Sequence, residues 1–276
     1  MFARLGSCVT ILEQSEHILP GDEPEIGLVL QDLLRAEGID LQTSTKVVRV
    51  EKTAEHINVF TTKGMVEATH LLVATGRRPN SDCLNLEAAG VSTDQRGFIQ
   101  VDDHLRTSMP HIWAAGDVIG GQMVTPVGAH DGAIVALNAF TGANRRTERT
   151  IIPRAVFTDP QVGIVGWTDA EALARGLSCR CATVSMEQVP RAAAIGDTRG
   201  LIKMVIEDET ERIVGVSILA PHASEMIHIA ALAIRARMTV EDLIESIFVY
   251  PTFSEALKIA ALAFRKDVSK LSCCAE

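Results

Sequence analysis

Two adjacent thiols near the carboxyl end are the most conspicuous reactive groups in the sequence. Cys273 and Cys274 stand side by side in the closing segment KLSCCAE. Because adjacent cysteines close a very small ring when they oxidise together, we do not expect a structural disulfide between them. Thiolates are preferred ligands of soft metal ions, and two thiols on a tail can capture such an ion and transfer it by ligand exchange. The pair is a candidate metal site; the alternative is that both are incidental tail cysteines.

Two carboxylates that follow short apolar segments are candidates for binding the hydroxyl groups of a nucleotide cofactor. Glu13 ends the segment CVTILE, and Asp117 follows Gly116 in the segment IWAAGDV. An acid at the end of a strand that follows a helix is typical of the second strand of a dinucleotide-binding βαβ unit, where it binds the adenine ribose. Asp117 falls at the carboxyl edge of its predicted strand, where doubly wound sheets bind ligands. For Glu13 the alternative is that it only caps a turn.

The elements that must position these carboxylates alternate between helices and strands. Residues 22–37 are predicted to form a helix, with acidic residues in the first turn and Gly38 at the end. A second helix is predicted over residues 127–141. Strands are predicted at residues 8–13, 40–42, 47–51, 57–60, 70–76 and 112–118.

The last third of the chain has a different pattern. Strands are predicted at residues 201–207 and 212–219, and two long helices at residues 223–237 and 252–268. An antiparallel sheet with helices on one side is an α+β arrangement.

The composition excludes several kinds of partner. Of the 276 residues, 47% are hydrophobic and 22% are charged, and the net charge is −9. A negative chain without a long basic run is a poor partner for nucleic acid or anionic membranes. No apolar stretch approaches the ~20 residues that cross a bilayer. The six cysteines are scattered without a disulfide framework, so we expect a cytoplasmic protein.

The position of Glu13 bears on what precedes the chain. In a dinucleotide-binding unit the glycine-rich phosphate loop lies ~20 residues before the acid. Counting back from Glu13 places that loop before Met1. We therefore expect the chain to be the C-terminal portion of a longer protein, the alternative being an unrelated helix–strand start.

Three longer segments resemble the flavin-dependent pyridine nucleotide–disulfide oxidoreductases. These are ATGRRPN at residues 74–80, the segment ending in AAGDV at residues 97–118, and PRAVFTDPQVGIVGWTDAEA at residues 153–172. The resemblance implies that the segment containing Gly76 closes the nicotinamide domain. It also implies that Asp117 holds the ribityl chain of FAD.

This resemblance implies an α/β fold in which partial doubly wound nucleotide-binding domains are followed by an α+β interface domain. Residues 1–76 are then a partial NAD(P)-binding domain, and residues 77–150 the C-terminal part of the FAD-binding domain. Residues 151–276 are the dimerisation domain with the Cys–Cys tail, and the implied assembly is a homodimer.

Two features point to one group within the family. The interface segment reads YPTFSE, with Tyr250 where the disulfide reductases carry an acid–base histidine that pairs with a glutamate, here Glu255. An unperturbed tyrosine does not ionise below pH ~10 and serves thiol acid–base chemistry poorly. Together with the tail pair Cys273 and Cys274, this resembles mercuric reductases, which reduce Hg(II) to Hg(0) with NAD(P)H through FAD. The resemblance implies roles in catalysis for Tyr250 and Glu255.

Several alternatives stay open. Because an acid repels a 2′-phosphate, Glu13 favours NADH over NADPH. The competing functions are a dihydrolipoyl dehydrogenase-like flavin disulfide reductase and a dimeric module that binds Hg(II) without turnover. By itself the chain is expected to be inactive, since it contains no Cys-x4-Cys redox pair. Cys179 and Cys181 alternate along a predicted strand and are either a metal clip or ordinary strand cysteines.

Overall fold

The computed structural model describes residues 1–270, which fold into two compact units. One unit combines residues 1–72 with the residues from 153 onward, and the other consists of residues 73–152. The three predicted domains, 1–76, 77–150 and 151–276, stay a prediction. Among the described residues, no helix is both long and apolar enough to span a membrane.

The first unit opens with a βαβ arrangement. Strand β1 (Thr10–Leu12) pairs in parallel with β2 (Asp40–Gln42), and helix α1 (Pro24–Ala36) connects them. Helix α1 begins with proline in its first turn, where no intrahelical N–H is needed. It buries Ile26 and Leu30 completely. The strands predicted from CVTILE and at residues 40–42 and the helix predicted over 22–37 are confirmed.

An antiparallel meander follows. Its strands are β3 (Val47–Lys52), β4 (Ile57–Thr61) and β5 (Gly64–Ala68), in spatial order. The first two were predicted; β5 was not. Strand β3 is exposed along its whole length, whereas Val59 at the centre of β4 is buried.

A five-stranded antiparallel sheet dominates the rest of the first unit. Its strands are β6 (Arg154–Val156), β7 (Gln161–Gly166), β8 (Cys179–Ser185), β9 (Leu201–Glu207) and β10 (Ile213–Ala220). Their spatial order is β6-β7-β10-β9-β8, so β6 and β8 are the two edges. The predicted antiparallel pair formed by β9 and β10 is confirmed, with Leu219 paired to Leu201.

Helices pack on this sheet. Helix α5 (Ala223–Arg235) contacts β7 and β10, and α7 (Ala256–Leu262) contacts β9 and β8. Shorter ones are α3 (Asp169–Ala174), α4 (Pro190–Ile195) and α6 (Val240–Glu245). The predicted helix over residues 252–268 is therefore too long. Its first residues form a turn in which the Thr252 hydroxyl donates to the carbonyl of Val249 at 2.8 Å.

Helix α1 shares a core with the sheet. Ile26 and Leu30 belong to one buried cluster with Val162, Ile164, Leu201 and Leu219. Each fully buried aliphatic side chain contributes about 1.5–3 kcal/mol relative to an exposed one. The βαβ segment is thus anchored by hydrophobic burial against strands more than a hundred residues away in sequence.

The second unit contains helix α2 (Thr125–Thr141) and otherwise mostly turns and isolated bridges. Its small core includes Val91, Ile99 and Ala114. The predicted helix over residues 127–141 is confirmed. The predicted strand at residues 112–118 is wrong, since only Trp113 forms a bridge, to Arg106, and residues 117–119 make a tight turn.

The predicted buried strand at residues 70–76 is also wrong. These residues have no regular structure, and Leu72 and Val73 are 82% and 69% exposed. The physical reason is that a strand needs a neighbour for its backbone groups, and within residues 1–270 none pairs with this segment.

Candidate functional site

The segment before Asp117 is shaped by close approach to helix α2. Gly116 has φ 80° and ψ −157°, a conformation open essentially to glycine alone. A side chain at Gly128 of α2 would come within 3.4 Å of the Gly116 Cα atom. Two glycines therefore let the backbone around Asp117 lie directly on the helix.

Asp117 lies at a cleft within the second unit. Its carboxylate is 57% exposed and lies 3.2 Å from Nη1 of Arg77, which also donates to the carbonyl of Met123. The cleft has a volume of about 400 Å³ and is lined by Arg77, Arg78, Pro79, Asn80, Asp117, Val118 and Met123. Gly76, with φ 111°, precedes the first arginine. Asp117 lines this cleft, and Gly76 and Gly116 directly precede its lining residues Arg77 and Asp117; the role of all three in binding a cofactor stays a prediction.

The chemistry of this cleft fits a ligand that carries hydroxyl groups and a polar end. An exposed carboxylate accepts hydrogen bonds from hydroxyls, as a ribityl chain requires. Val124, before the first residue of α2, provides no side-chain cap, but Pro126 has no N–H, and the N–H groups of Val127 and Gly128 donate to the carbonyl of Val124 at 3.0 and 3.3 Å. The first turn therefore offers at most the N–H of Thr125 to a ligand. These residues fit the FAD that the sequence resemblance implies.

Glu13 lies elsewhere, immediately after β1 in the first unit. Its Oε1 accepts a hydrogen bond of 2.8 Å from the backbone N–H of Ser15. Its own backbone carbonyl accepts from Thr45 at 2.8 Å. The carboxylate therefore caps the turn after β1, which is the alternative that the sequence left open, and its cofactor role stays a prediction.

Tyr250 and Glu255 flank the turn before α7. Tyr250 is 48% exposed. Glu255 is half-buried, and its Oε2 is buried without a hydrogen-bond partner. Burial raises the pKa of the Glu255 carboxyl above its usual value, although the nearby Lys258 ammonium opposes the shift. The predicted metal ligands Cys273 and Cys274 lie outside the described residues.

Sequence reasoning missed a buried charge cluster in the first unit, which we call the acid–lysine cluster. The side chain of Lys203 is 3% exposed, and its Nζ lies 2.8 Å from Glu23, 2.9 Å from Glu25 and 2.8 Å from Asp169. Glu23 also accepts from the backbone N–H of Asp169 at 2.9 Å. The only signal in the sequence was a lysine inside the apolar strand LIKMVIE.

Burial and pairing act in opposite directions on the pKa values of Lys203, Glu23 and Asp169. Burial alone would lower the pKa of Lys203, but hydrogen bonds to Asp169, Glu23 and Glu25 outweigh it and raise that pKa. Burial raises the pKa of Glu23, and the hydrogen bond from Lys203 only partly offsets this. For Asp169 the hydrogen bond and charge of Lys203 outweigh burial and lower the pKa.

Both halves of the chain match one protein family. Residues 1–133 match the family described as "Pyridine nucleotide-disulphide oxidoreductase", and residues 152–261 match its "dimerisation domain". With the βαβ segment, the Asp117 cleft and the antiparallel sheet, these matches define a nucleotide-dependent redox protein. The chain belongs to the pyridine nucleotide–disulphide oxidoreductase family, whose members use a flavin and a pyridine nucleotide.

Among curated proteins the chain is similar to several mercuric reductases. It is 39% identical over 279 residues to the one from Lysinibacillus sphaericus, matching 100% of this chain and 51% of the relative. For Acidithiobacillus ferrooxidans the identity is 44% over 274 residues, with 99% and 50% covered. For Streptomyces lividans it is 42% over 279 residues, with 100% and 59% covered. The chain thus spans about half the length of these relatives.

Solved structures give the same fold. The HOCl-induced flavoprotein disulfide reductase RclA from Escherichia coli matches with a TM-score of 0.86 and 32% identity, over 94% of this chain and 60% of that one. LpdA from Mycobacterium tuberculosis matches with a TM-score of 0.86 and 28% identity, over 96% and 58%. The predicted fold class and family are confirmed.

Proposed function

We propose that this chain carries the C-terminal part of a mercuric reductase, an FAD-dependent enzyme that reduces Hg(II) to Hg(0) with NAD(P)H. The observation that carries the proposal is the similarity of the whole chain to mercuric reductases, at 39–44% identity in the three described above. The adjacent Cys273 and Cys274 support it, since thiolates are preferred ligands of soft metals. Tyr250 in the segment YPTFSE supports it because an unperturbed phenol serves the acid–base chemistry of disulfide reduction poorly.

In this proposal the residues of the second unit bind the flavin. Asp117 would accept hydrogen bonds from the ribityl hydroxyls of FAD. When bound, FAD supplies the two-electron chemistry that passes from the nicotinamide to the metal. Arg77, which contacts Asp117 at 3.2 Å, orients the carboxylate at the edge of the cleft.

The interface residues handle the metal substrate. Cys273 and Cys274 capture Hg(II) and pass it by ligand exchange towards an inner cysteine pair of the partner subunit. Tyr250 presents a neutral phenol to the metal pathway. Glu255 would take part in proton transfer on the same segment, and burial raises the pKa of its carboxyl above the usual value.

Two finer points belong to the same proposal. The acid at Glu13 favours NADH over NADPH, because its charge repels a 2′-phosphate. The protein works as a homodimer through residues 151–276 in the cytoplasm. Leu232, Ile247 and Val249 support a contact surface there, since they are 66%, 97% and 77% exposed within the part that matches the dimerisation domain.

A chimera tests this function. The N-terminal half of the Acidithiobacillus ferrooxidans relative, which is 44% identical in the shared half, is joined to this chain at Met1. We expect bound FAD, Hg(II)-dependent NADH oxidation and release of elemental mercury, with a higher kcat/KM for NADH than for NADPH. Loss of mercury release when Cys273 and Cys274 are both replaced by alanine, at limiting thiol, supports the tail pair.

Two results would count against the proposal. A chimera that binds FAD and reduces another acceptor but forms no Hg(0) removes the mercuric reductase assignment. A higher kcat/KM for NADPH removes only the role of Glu13.

A second function draws on the same tail thiols and on the match to the dimerisation domain. It is a dimeric module that binds Hg(II) without turnover. Purified alone, such a chain binds mercury but no stoichiometric yellow flavin. Flavin bound to the unaltered chain, with Hg(II)-stimulated NAD(P)H oxidation, argues against this second function.

A further inference from the structure

Two further cysteines lie on an edge of the five-stranded sheet. Cys179 and Cys181 belong to β8, which is hydrogen-bonded to β9 on one side only. Because alternate residues of a strand point to the same face, both thiols lie on one face of this edge. They lie opposite Glu207 and Val205 in the register with β9.

Both sulfur atoms converge on one residue. Sγ of Cys179 lies 3.9 Å from the carbonyl oxygen of Asp169, and Sγ of Cys181 lies 4.0 Å from its carboxylate Oδ2. Asp169 is the first residue of α3, which packs against β8. Helix α3 therefore holds both thiols beside Asp169. Cys181 is exposed and Cys179 is partly exposed, so a ligand can reach them.

The surroundings keep Cys181 as a neutral thiol. The carboxylate of Asp169 belongs to the acid–lysine cluster, in which three carboxylates face one ammonium. Burial raises the pKa of the Cys181 thiol to about 11, and the charge of Asp169 adds to the shift while that of Lys203 opposes it. The metal therefore has to enter by thiol exchange, in which the proton of the cysteine is passed to the thiolate that leaves.

The number of ligand atoms that Cys179 and Cys181 offer determines which metal ions they can bind. Within residues 1–270, no group of three or more histidine, cysteine, aspartate or glutamate side chains is arranged to hold a metal ion. Structural zinc needs four ligands, and calcium needs six or more oxygens. Two thiols satisfy a soft ion that accepts two-coordinate binding, and Hg(II) is such an ion.

We propose that Cys179 and Cys181, the strand thiol pair, form a second Hg(II) site on the outer strand of the sheet. The metal arrives as a complex with two small thiolates. Two Hg–S bonds to the small thiolates break as two bonds to Cys179 and Cys181 form, and the protons of the cysteines leave on the departing thiols. No electrons move. The site goes beyond the proposed function, since it needs neither flavin nor the tail pair.

The test compares two variants of the full chain, each with two thiols. In the first, Cys8, Cys83, Cys273 and Cys274 are replaced by serine, which keeps the strand thiol pair. In the control, Cys179, Cys181, Cys273 and Cys274 are replaced by serine, which keeps Cys8 and Cys83 in different units. Both are loaded with the Hg(II)–bis(cysteine) complex and dialysed against rising free cysteine, and bound mercury is counted.

We expect the first variant to keep one Hg(II) per chain at cysteine concentrations on the order of 10²-fold higher than the control, because its second bond forms within the molecule. A further Cys179→Ser or Cys181→Ser change should remove that advantage. Equal release from the pair and the control overturns the proposal.

A second measurement uses the unaltered chain, so that a misfolded variant does not decide the outcome. The chain is loaded with two Hg(II) and alkylated under native conditions, and each cysteine is mapped by mass spectrometry. We expect Cys179 and Cys181 to be protected together while Cys8 and Cys83 react. Unchanged alkylation of Cys179 and Cys181 rejects the site, whatever the reductase assay gives.

Discussion

At the scale of single residues, the acid–lysine cluster is the strongest electrostatic feature of the described chain. Lys203 is almost fully buried and joins carboxylates that lie 180, 178 and 34 residues away in sequence. A buried ion pair contributes modest net stability, but removal of one partner leaves buried charge without compensation. Lys203 is therefore a position where a single change has a large effect.

We expect Lys203→Met to lower the free energy of unfolding by about 3–5 kcal/mol, because three carboxylates then face one another without a cation. Urea unfolding at neutral pH measures it. The matched control is Lys52→Met on the exposed strand β3, which should change stability by about 0.5 kcal/mol or less. A Lys203→Met variant as stable as the control would contradict this reading of the cluster.

The stabilisation that the ion pairs of Lys203 provide has a defined pH dependence. Folding raises the pKa of Lys203 above its unfolded value of 10.5, so the folded state holds its proton more tightly. The stabilisation is fully present below pH 10.5 and is lost as the pH rises above that value. The difference between Lys203→Met and the unaltered chain should therefore be constant near neutral pH and shrink in strong alkali.

At the scale of elements, helix α1 depends on tertiary packing. Its apolar face carries Ile26 and Leu30 into the sheet core, whereas Leu28 on the same helix is 48% exposed. Since isolated helices of this length are marginal in water, burial of that face provides most of its stability.

We expect Leu30→Ala to cost about 2–5 kcal/mol, from lost burial and the cavity left among Val162, Leu201 and Leu219. Leu28→Ala on the same helix is the control and should cost about 0.5 kcal/mol or less. Urea unfolding of both variants checks the difference. Equal effects would mean that α1 does not share the core of the sheet.

Elements could be predicted from sequence where local pattern and tertiary neighbours agree. Helix α1 has its acidic first turn, its proline and Gly38, and strands β9 and β10 have a turn between them, so both were predicted correctly. Strands were predicted wrongly at residues 70–76 and 112–118, because apolar character alone does not supply a hydrogen-bonding neighbour. The acid–lysine cluster was missed because its partners are joined only by the fold.

The features of the candidate site also divide into those that local sequence predicts and those that only the fold brings together. Gly116 and Asp117 were named because a small-residue run before an acid is a local pattern. Asp117 lines a cleft in the structure, and its role in binding a cofactor stays a prediction. The relation of Arg77 to Asp117 joins residues 40 positions apart and needed the structure. The turn-capping contact of Glu13 is local, and the sequence left it as an alternative.

At the scale of the whole molecule, the first unit carries an exposed apolar surface in the part that matches the dimerisation domain. Ile247 and Val249 lie between α6 and α7 and are 97% and 77% exposed. Burial of an aliphatic side chain of this size in a contact contributes about 1.5–3 kcal/mol.

We expect Ile247→Asp to raise the dissociation constant of the proposed homodimer on the order of 30-fold, because a carboxylate must be desolvated in the contact. Sedimentation over a range of protein concentrations measures this constant. Val48→Asp, on exposed strand β3, is the control and should leave it unchanged. A dimer that is equally strong in both variants places the contact elsewhere.

The first unit combines residues 1–72 with residues from 153 onward, so its two parts are synthesised at different times. Helix α1 leaves the ribosome long before the strands that carry Val162, Leu201 and Leu219. At about 5–20 residues per second, its apolar face waits on the order of ten seconds for those strands. Meanwhile the intervening residues 73–152 are already free to fold as their own unit. Nascent chains stalled after α1 has emerged from the ribosome, but before strands β7, β9 and β10 have, should therefore recruit chaperones through α1.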